Sequence, residues 1–346
     1  MNGGFHESLD QHGRPTAAPR RARVQGRQIF VYATAGALGW DGPWAAAVQH
    51  GLDFLFTRQM RPDGLIRTLL HPDGTPADET AVLYDQAFAL LAMAAATKAL
   101  PHRADLAPAA QRLRGALANF RHPGGGFREA STDRPFQANC QMHLFEAALA
   151  WEEAAPSPAW TALADEMAHL ALARFIDAKG QLHEAFAADW SLAPGLDGRI
   201  LEPGHQFEWA WLMQRWGLSR NDATALAAAR RLFEAGRAGV DASRGVAMDE
   251  LLEDLTVHKA GARLWPQTEW IKAASILARS PDIDAADRDR YRTEAGAALA
   301  ALTKYFDTPI AGLWRDKMTP DGGFIEEPAP ASSFYHIIAA ATELAS

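Results

Sequence analysis

The sequence predicts an all-α protein in which six helical hairpins close into a ring, one helix of each pair inside and one outside. Three observations predict it. Ala- and Leu-rich stretches with an apolar rhythm of 3.6 residues dominate the 346-residue chain. The links between helix pairs resemble one another: "GGFHESLDQHG", "DGLIRTLLHPDG", "GGGFREASTD", "KGQLHEAFAAD", "RGVAMDELLED" and "AGLWRDKMTPDG". Each carries a glycine, at Gly4, Gly64, Gly126, Gly180, Gly245 and Gly312, so the repeat length is 54 to 67 residues. Finally, no strand–helix alternation with glycine-rich turns appears, which argues against a doubly wound sheet.

The elements follow in order. Periodicity predicts helices over 25–38, 43–60, 80–99, 104–120, 138–154, 158–175, 204–217, 221–239, 265–280, 285–305 and 333–345. Pro101, Pro156 and Pro158 stand where one helix stops and its partner starts. Each pair buries its apolar stripe against its neighbours, as in other repeat architectures. The expected domain is single and spans 1–346. Six first-of-pair helices are counted but only five second-of-pair helices, since the chain ends at "HIIAAATELAS". A ring short of one outer helix leaves an inner helix uncovered, and a second copy in a homodimer, or residues 1–24, would cover it.

Composition excludes several classes. Apolar residues make up 48% of the chain, as in globular proteins. The formal charge of −8 gives no general attraction to nucleic acid or anionic lipid. No run approaches eighteen uncharged apolar residues, so no membrane span is expected. The single cysteine, Cys140, forms no intrachain disulfide, and the start "MNGGFHESLDQHGRP" has no apolar signal core. A cytoplasmic location is expected.

The polar residues that need explaining lie at the starts of the first-of-pair helices. They are Arg27; Tyr84, Asp85 and Gln86 in "LYDQAF"; Asn139, His143 and Glu146 in "NCQMHLFEA"; and His205, Glu208 and Trp209 in "EPGHQFEWAW". Trp265, Gln267 and Glu269 follow in "LWPQTEWIKAA", then Tyr335 and His336 in "SSFYHII". In a ring of parallel inner helices these ends face one mouth. Taken singly, each histidine has a bland reading as a satisfied core residue, and each His/Glu pair at i, i+3 as a surface pair. Three histidines at equivalent places, two with the same acidic partner, favour function. His50, His71, His122, His183 and His258 lie in links or on outer helices and are expected outside the site.

Imidazole moves protons near neutral pH, and a neighbouring carboxylate fixes its tautomer. Tryptophan offers an apolar face to a sugar ring. The set points to proton abstraction beside a carbonyl in a polyhydroxylated substrate. Neither HExxH nor a cysteine cluster is present, and a metal is not expected. No phosphate-cradling loop or nucleophile elbow appears, and nothing marks Cys140 as an activated thiolate. Asp85, Glu208 and Glu269 suit glycoside hydrolysis, but that leaves the histidines without a role.

"NCQMHLFEA", "PGHQFEWAWL", "RLWPQTEWIKAA" and "PASSFYHI", in this order, resemble the N-acylglucosamine 2-epimerase superfamily, and most nearly its bacterial mannose isomerase or mannose-6-phosphate isomerase-like branch. The resemblance covers nearly the whole chain. It implies an (α/α)6 barrel and metal-free, cofactor-free sugar interconversion through a cis-enediol. It implies His205 and His336 as the acid/base pair, with His143, Arg27 and Glu208 binding the sugar. Glu146, Glu269, Trp265, Trp209, Tyr335 and Asn139 would line or brace the pocket. The expected reaction interconverts D-mannose and D-fructose, with 2-epimerisation as the runner-up and sugar binding without catalysis as the reading from another class. Two departures stand out. The family's N-P-H-M-H reads "NCQMH" here, so that Gln141 replaces a histidine and is expected to alter substrate choice. The chain also starts inside the pattern, without the outer helix that precedes it in relatives.

Overall fold

The computed structural model describes residues 3–132 and 136–346. Asp133, the end of the third link, lies outside the described residues. Among these residues all eleven expected helices form. They are α1 (Ala22–Ala37), α2 (Trp44–Phe54), α3 (Leu83–Ala99), α4 (Leu106–Ala116), α5 (Ala138–Ala154), α6 (Pro158–Leu170), α7 (Pro203–Arg220), α8 (Ala223–Ala238), α9 (Leu264–Ala278), α10 (Ala285–Thr303) and α11 (Ser332–Ala345). π-helical turns prolong α2 to Gln59 and α6 to Phe175, and a 3-10 turn prolongs α4 to Phe120. Those turns account for the longer spans that periodicity predicted.

Contacts divide the chain into two compact units. The first holds residues up to Leu9, Pro15–Leu170 and Pro330–Ile338; the second holds Asp10–Arg14, Ala171–Ala329 and Ala339–Ser346. In the first unit α1 packs on α3 and α3 on α5, while α2, α4 and α6 back them as hairpin partners. Helices α3 and α5 are buried on almost every face, as expected of a helix apolar all round. In the second unit α7 packs on α9, with α8 and α10 as their partners. Helix α8 buries Ala225, Ala228, Ala229, Leu232, Phe233 and Gly236, one stripe at 3.6-residue spacing, and turns its other face to water. Asp222 caps its start by accepting from the Ala225 amide at 2.9 Å. Phe207, Phe233, Trp270 and Tyr291 fill the core of that unit, with Phe207 stacked 5.9 Å from Trp270.

The links hold the structure that periodicity does not reveal. Five of the six link glycines, from Gly64 onward, adopt φ between +64° and +86°, a region L side chains seldom enter. Three of the two-residue strands that precede a helix pair antiparallel with a later link. Arg20–Arg21 pairs with Leu69–Leu70, Ile200–Leu201 with Glu250–Leu252, and Ala262–Arg263 with Lys317–Met318. An acid from the link then reaches the backbone amide of a helix's N-cap residue. Glu7 accepts from Arg21 at 2.7 Å, Glu129 from Gln137 at 2.9 Å, Glu184 from Glu202 at 3.2 Å and Asp249 from Arg263 at 3.0 Å. These carboxylates meet orphan donors at the positive ends of helix dipoles.

A glutamine in each of five helices completes the joint. The Gln86 side chain accepts from the Ile66 amide and donates to the Ile66 carbonyl, both at 2.8 Å. Gln25 brackets Phe5 in the same way, Gln206 brackets Leu182, and Gln267 brackets Ala247. Gln141 donates to the Phe127 carbonyl at 2.8 Å. Gln86, Gln141 and Gln267 are fully buried. The expectation that Gln86 and Gln267 face the mouth is therefore corrected: their amides are occupied in tying each link to the helix that follows it. Gln141, expected to tune substrate choice, sits in the same joint. Asp85 is likewise structural, accepting from the Arg23 backbone and guanidinium and from the Thr68 hydroxyl.

Replacing Gln86 by Leu keeps the volume but leaves a buried amide and carbonyl without partners. Urea unfolding is expected to show a loss of about 2 kcal/mol or more. A change under about 0.5 kcal/mol, the range of ordinary surface substitutions, would remove the bracket as a structural element.

Candidate active site

In the first unit a cation sits among aromatic rings. Arg27, on α1, is 6% exposed. Its guanidinium donates to the Tyr84 hydroxyl at 2.8 Å and to the Ser332 carbonyl at 3.3 Å. It lies 4.2 Å from the Phe88 centroid and 5.0 Å from that of Tyr335, the geometry of a cation–π contact. Beside it, His143 Nδ1 is 3.2 Å from Glu146 Oε2, one turn further along α5. The other oxygen of Glu146 accepts from the Tyr335 hydroxyl. This bridge ties α5 to the start of α11, where the His336 ring lies 4.8 Å from the Tyr335 ring and is 5% exposed. Asn139, half-buried in the first turn of α5, keeps an Oδ1 without a hydrogen-bond partner among the described residues.

The second unit holds a histidine of its own, His205. Pro203 occupies the first position of α7, where its missing N–H costs nothing. Gly204 follows because the Trp265 ring lies on that turn: a Cβ there would stand 2.4 Å from the indole. The His205 ring packs 4.9 Å from the same indole. Its Nδ1 lies 2.8 Å from Glu184 Oε2 and 3.9 Å from Glu202 Oε2. Arg263 donates to Glu202 at 2.8 Å and to Asp249 at 2.9 Å.

Electrostatics decide the state of His205. Burial favours the neutral ring, but the Glu184 carboxylate, then Glu202 and Glu208, outweigh it and push the imidazole pKa up to about 9. Burial also raises the Glu184 carboxyl, against the pull of His205. The pair therefore holds one proton across neutral pH, on the imidazole. A ring charged at pH 7 with Nδ1–H bound to a carboxylate presents Nε2–H as a proton donor.

The sequence-predicted residues divide accordingly. Arg27, His143, Glu146 and Tyr335 gather in the first unit, with His336 stacked on Tyr335. His205 and Trp265 meet in the second. The pairing of His143 with Glu146 is as read from the spacing; the pairing of His205 with Glu208 is not, because the ring's hydrogen bond goes back to the link. Glu208 is buried and acts on His205 through charge. Glu269 forms a fully buried ion pair with Lys272 at 2.6 Å. Trp209 packs on Phe175 with no exposed surface. His183 is buried, with Nδ1 3.0 Å from the Gly198 carbonyl and Nε2 3.5 Å from Asp177. Glu184 and Glu202 were missed. The signal for Glu184 is its place after the link glycine, equivalent to Glu7, Glu129 and Asp249. Donor atoms of Glu184, Glu202 and His205 lie within 4.8 Å of one another, a spacing a cation can use. The hydrogen bonds to His205 and to Arg263 make them an ion-pair network.

Replacing Glu184 by Gln removes the charge that holds the proton on His205. An NMR titration of the histidine ring is expected to show its pKa falling from about 9 by roughly one to three units, the usual effect of an opposite charge at this range. A titration unchanged by the substitution would contradict this assignment.

Comparison with known proteins places the chain. The N-acylglucosamine 2-epimerase family model matches residues 3–340. A Rhizobium meliloti protein named mannose-6-phosphate isomerase is 48% identical, over 99% of this chain and 90% of that protein. A Thermobifida fusca D-mannose isomerase is 30% identical, over 85% and 76%. A crystal structure of D-mannose isomerase superposes with a TM-score of 0.90 at 20% identity, covering 99% of this chain and 92% of that one. Cellobiose 2-epimerase from Spirochaeta thermophila gives 0.87 at 21% identity, covering 99% and 89%. The fold class expected from the sequence, an all-α (α/α)6 barrel of helical hairpins, is that of these structures. The chain belongs to the N-acylglucosamine 2-epimerase family and is one of its isomerases or epimerases.

Proposed function

We propose that residues 1–346 work as one catalytic domain that interconverts D-mannose and D-fructose, unphosphorylated and without a metal or cofactor. The observation that carries this reading furthest is the His205–Glu184 pair at 2.8 Å, a charged acid kept ready at neutral pH. Two relatives bear isomerase names with mannose as the sugar. They differ on the phosphate. Of two candidate arginines for binding one, Arg263 is spent on Glu202 and Asp249 and Arg315 lies over the Phe324 ring. This favours the free hexose. The single buried cysteine suits the cytoplasm.

In the proposed reaction the sugar ring opens and His336 takes the C2 proton as base. The electron pair left at C2 forms the C1–C2 double bond, and O1 receives a proton from His205. The cis-enediol then collapses: O2 returns its proton to His205 as the C2 carbonyl forms, and C1 takes a proton from His336. Atoms and charge balance without a redox partner. Arg27, with His143 and Glu208, binds hydroxyls and stabilises the oxygen that gains charge. Trp265 offers its face to the sugar.

Replacing either His205 or His336 by Ala is expected to lower kcat by about 10² or more. Incubation of mannose in D2O, followed by NMR, is expected to show fructose with deuterium at C1. Glucose with deuterium at C2 would instead assign the 2-epimerase outcome, in which C2 is reprotonated from the opposite face. Saturable binding with no deuterium uptake, or a fully active His205→Ala variant, would overturn the catalytic reading.

A further inference from the structure

The network behind His205 contains one arrangement that the reaction itself does not use. Two carboxylates face the Nδ1 side of the ring: Glu184 at 2.8 Å and Glu202 at 3.9 Å. Only the first is within hydrogen-bond reach. Glu202 precedes α7 as its N-cap residue and lies three positions before His205, so without other ties its attraction to an imidazolium would draw it onto the ring. It is tied. Arg263, the N-cap residue of α9, holds Glu202 at 2.8 Å with one nitrogen. With Nε it holds Asp249 at 2.9 Å, and Asp249 in turn accepts from the Arg263 backbone amide at 3.0 Å. The guanidinium also lies 5.2 Å from the Trp265 centroid, over the ring that packs against His205.

We propose that Arg263 is a positioning residue for the His205 acid: by clamping Glu202 to Asp249 it keeps the Glu202 carboxylate off Nδ1, so that Glu184 orients the ring. This rests on the assignment of His205 as the acid, and it adds a specific role for a residue that touches no reacting atom. A planar fork with two fixed partners suits the task, because its two hydrogen-bonded arms set both distance and direction. The charged groups facing His205 are Glu184 from the link, Glu202 and Glu208 from the start of α7, and Arg263 with Asp249 from the start of α9 and its link. Removing Arg263 frees a half-buried carboxylate beside an imidazolium. Nδ1–H is then contested by two acceptors, the ring turns, and Nε2 leaves the line along which it delivers its proton. A displacement of about 1 Å at a proton donor is enough to cost around 10²-fold in rate.

The test is a double-mutant cycle on the full chain, with kcat for mannose and an NMR titration of His205 as readouts. Arg263→Met is expected to lower kcat by at least about tenfold while leaving KM within a few-fold, and to move the His205 titration upward. Glu202→Gln is expected to move it downward with a small change in kcat. The combined variant is expected to recover most of the kcat lost in Arg263→Met, because the competing acceptor's charge is gone. Arg263→Lys, which keeps the charge without the fork, is expected to recover only part. If Arg263 were needed merely for packing, the combined variant would be as slow as Arg263→Met; that result overturns the proposal. The acid assignment fails separately, through an active His205→Ala variant, so the two failures are distinguishable. Should Arg263→Met not fold, the Arg263→Lys and Glu202→Gln titrations decide alone, and equal values to the parent overturn the inference.

Discussion

One carboxylate, Glu184, makes two hydrogen bonds on which the second unit's chemistry depends. One oxygen accepts from the backbone amide that opens α7, and the other from the His205 imidazole. The first bond is part of the repeat: Glu7, Glu129 and Asp249 do the same for α1, α5 and α9. The second is what this repeat adds. A joint that four links share thus also fixes the tautomer, direction and charge of the ring proposed as the acid. The cost of burying the carboxylate is offset by the helix's positive end and by the imidazolium together, where neither alone faces so little water.

The first unit solves the same problem differently. Its histidine partner comes from within the helix, Glu146 one turn after His143, and the remaining oxygen of Glu146 takes the Tyr335 hydroxyl. The ring of Tyr335 therefore sits between two side chains proposed for function, the Arg27 cation over its face and His336 at its edge. Glu146, as a shared acceptor, holds His143 and Tyr335 together. Arg27, His143 and His205 are each held by partners before any substrate arrives, the condition for electrostatic preorganisation.

Much of this was legible in the chain because long, periodic helices state their burial in their spacing. All eleven helices were read, and the glycine of each link marked the repeat. What periodicity missed is short or distant. Strands of two residues have no period to detect, and the π-helical turn ending at Gln59 looks like the end of a helix. The glutamines misled for a physical reason: a polar residue on an apolar helix signals either a site or a backbone bracket, and residue type alone does not separate the two. His143 and Glu146 were found as a pair because they share a helix face. His205 was assigned Glu208 on the same logic, but its acceptor lies 21 residues upstream in a link, where only alignment of the six links against one another reveals it.

The central claim is that His205 enters the reaction charged. The pH dependence of kcat/KM for conversion of mannose to fructose tests it most directly, since that profile reports ionisations of the free enzyme. The acid form is present below the raised pKa and disappears as pH climbs through it, so activity is expected to hold through neutral pH and fall on an alkaline limb near 9. A profile that instead falls away from pH 7 upward, around the ordinary imidazole value of about 6.5, would contradict the account.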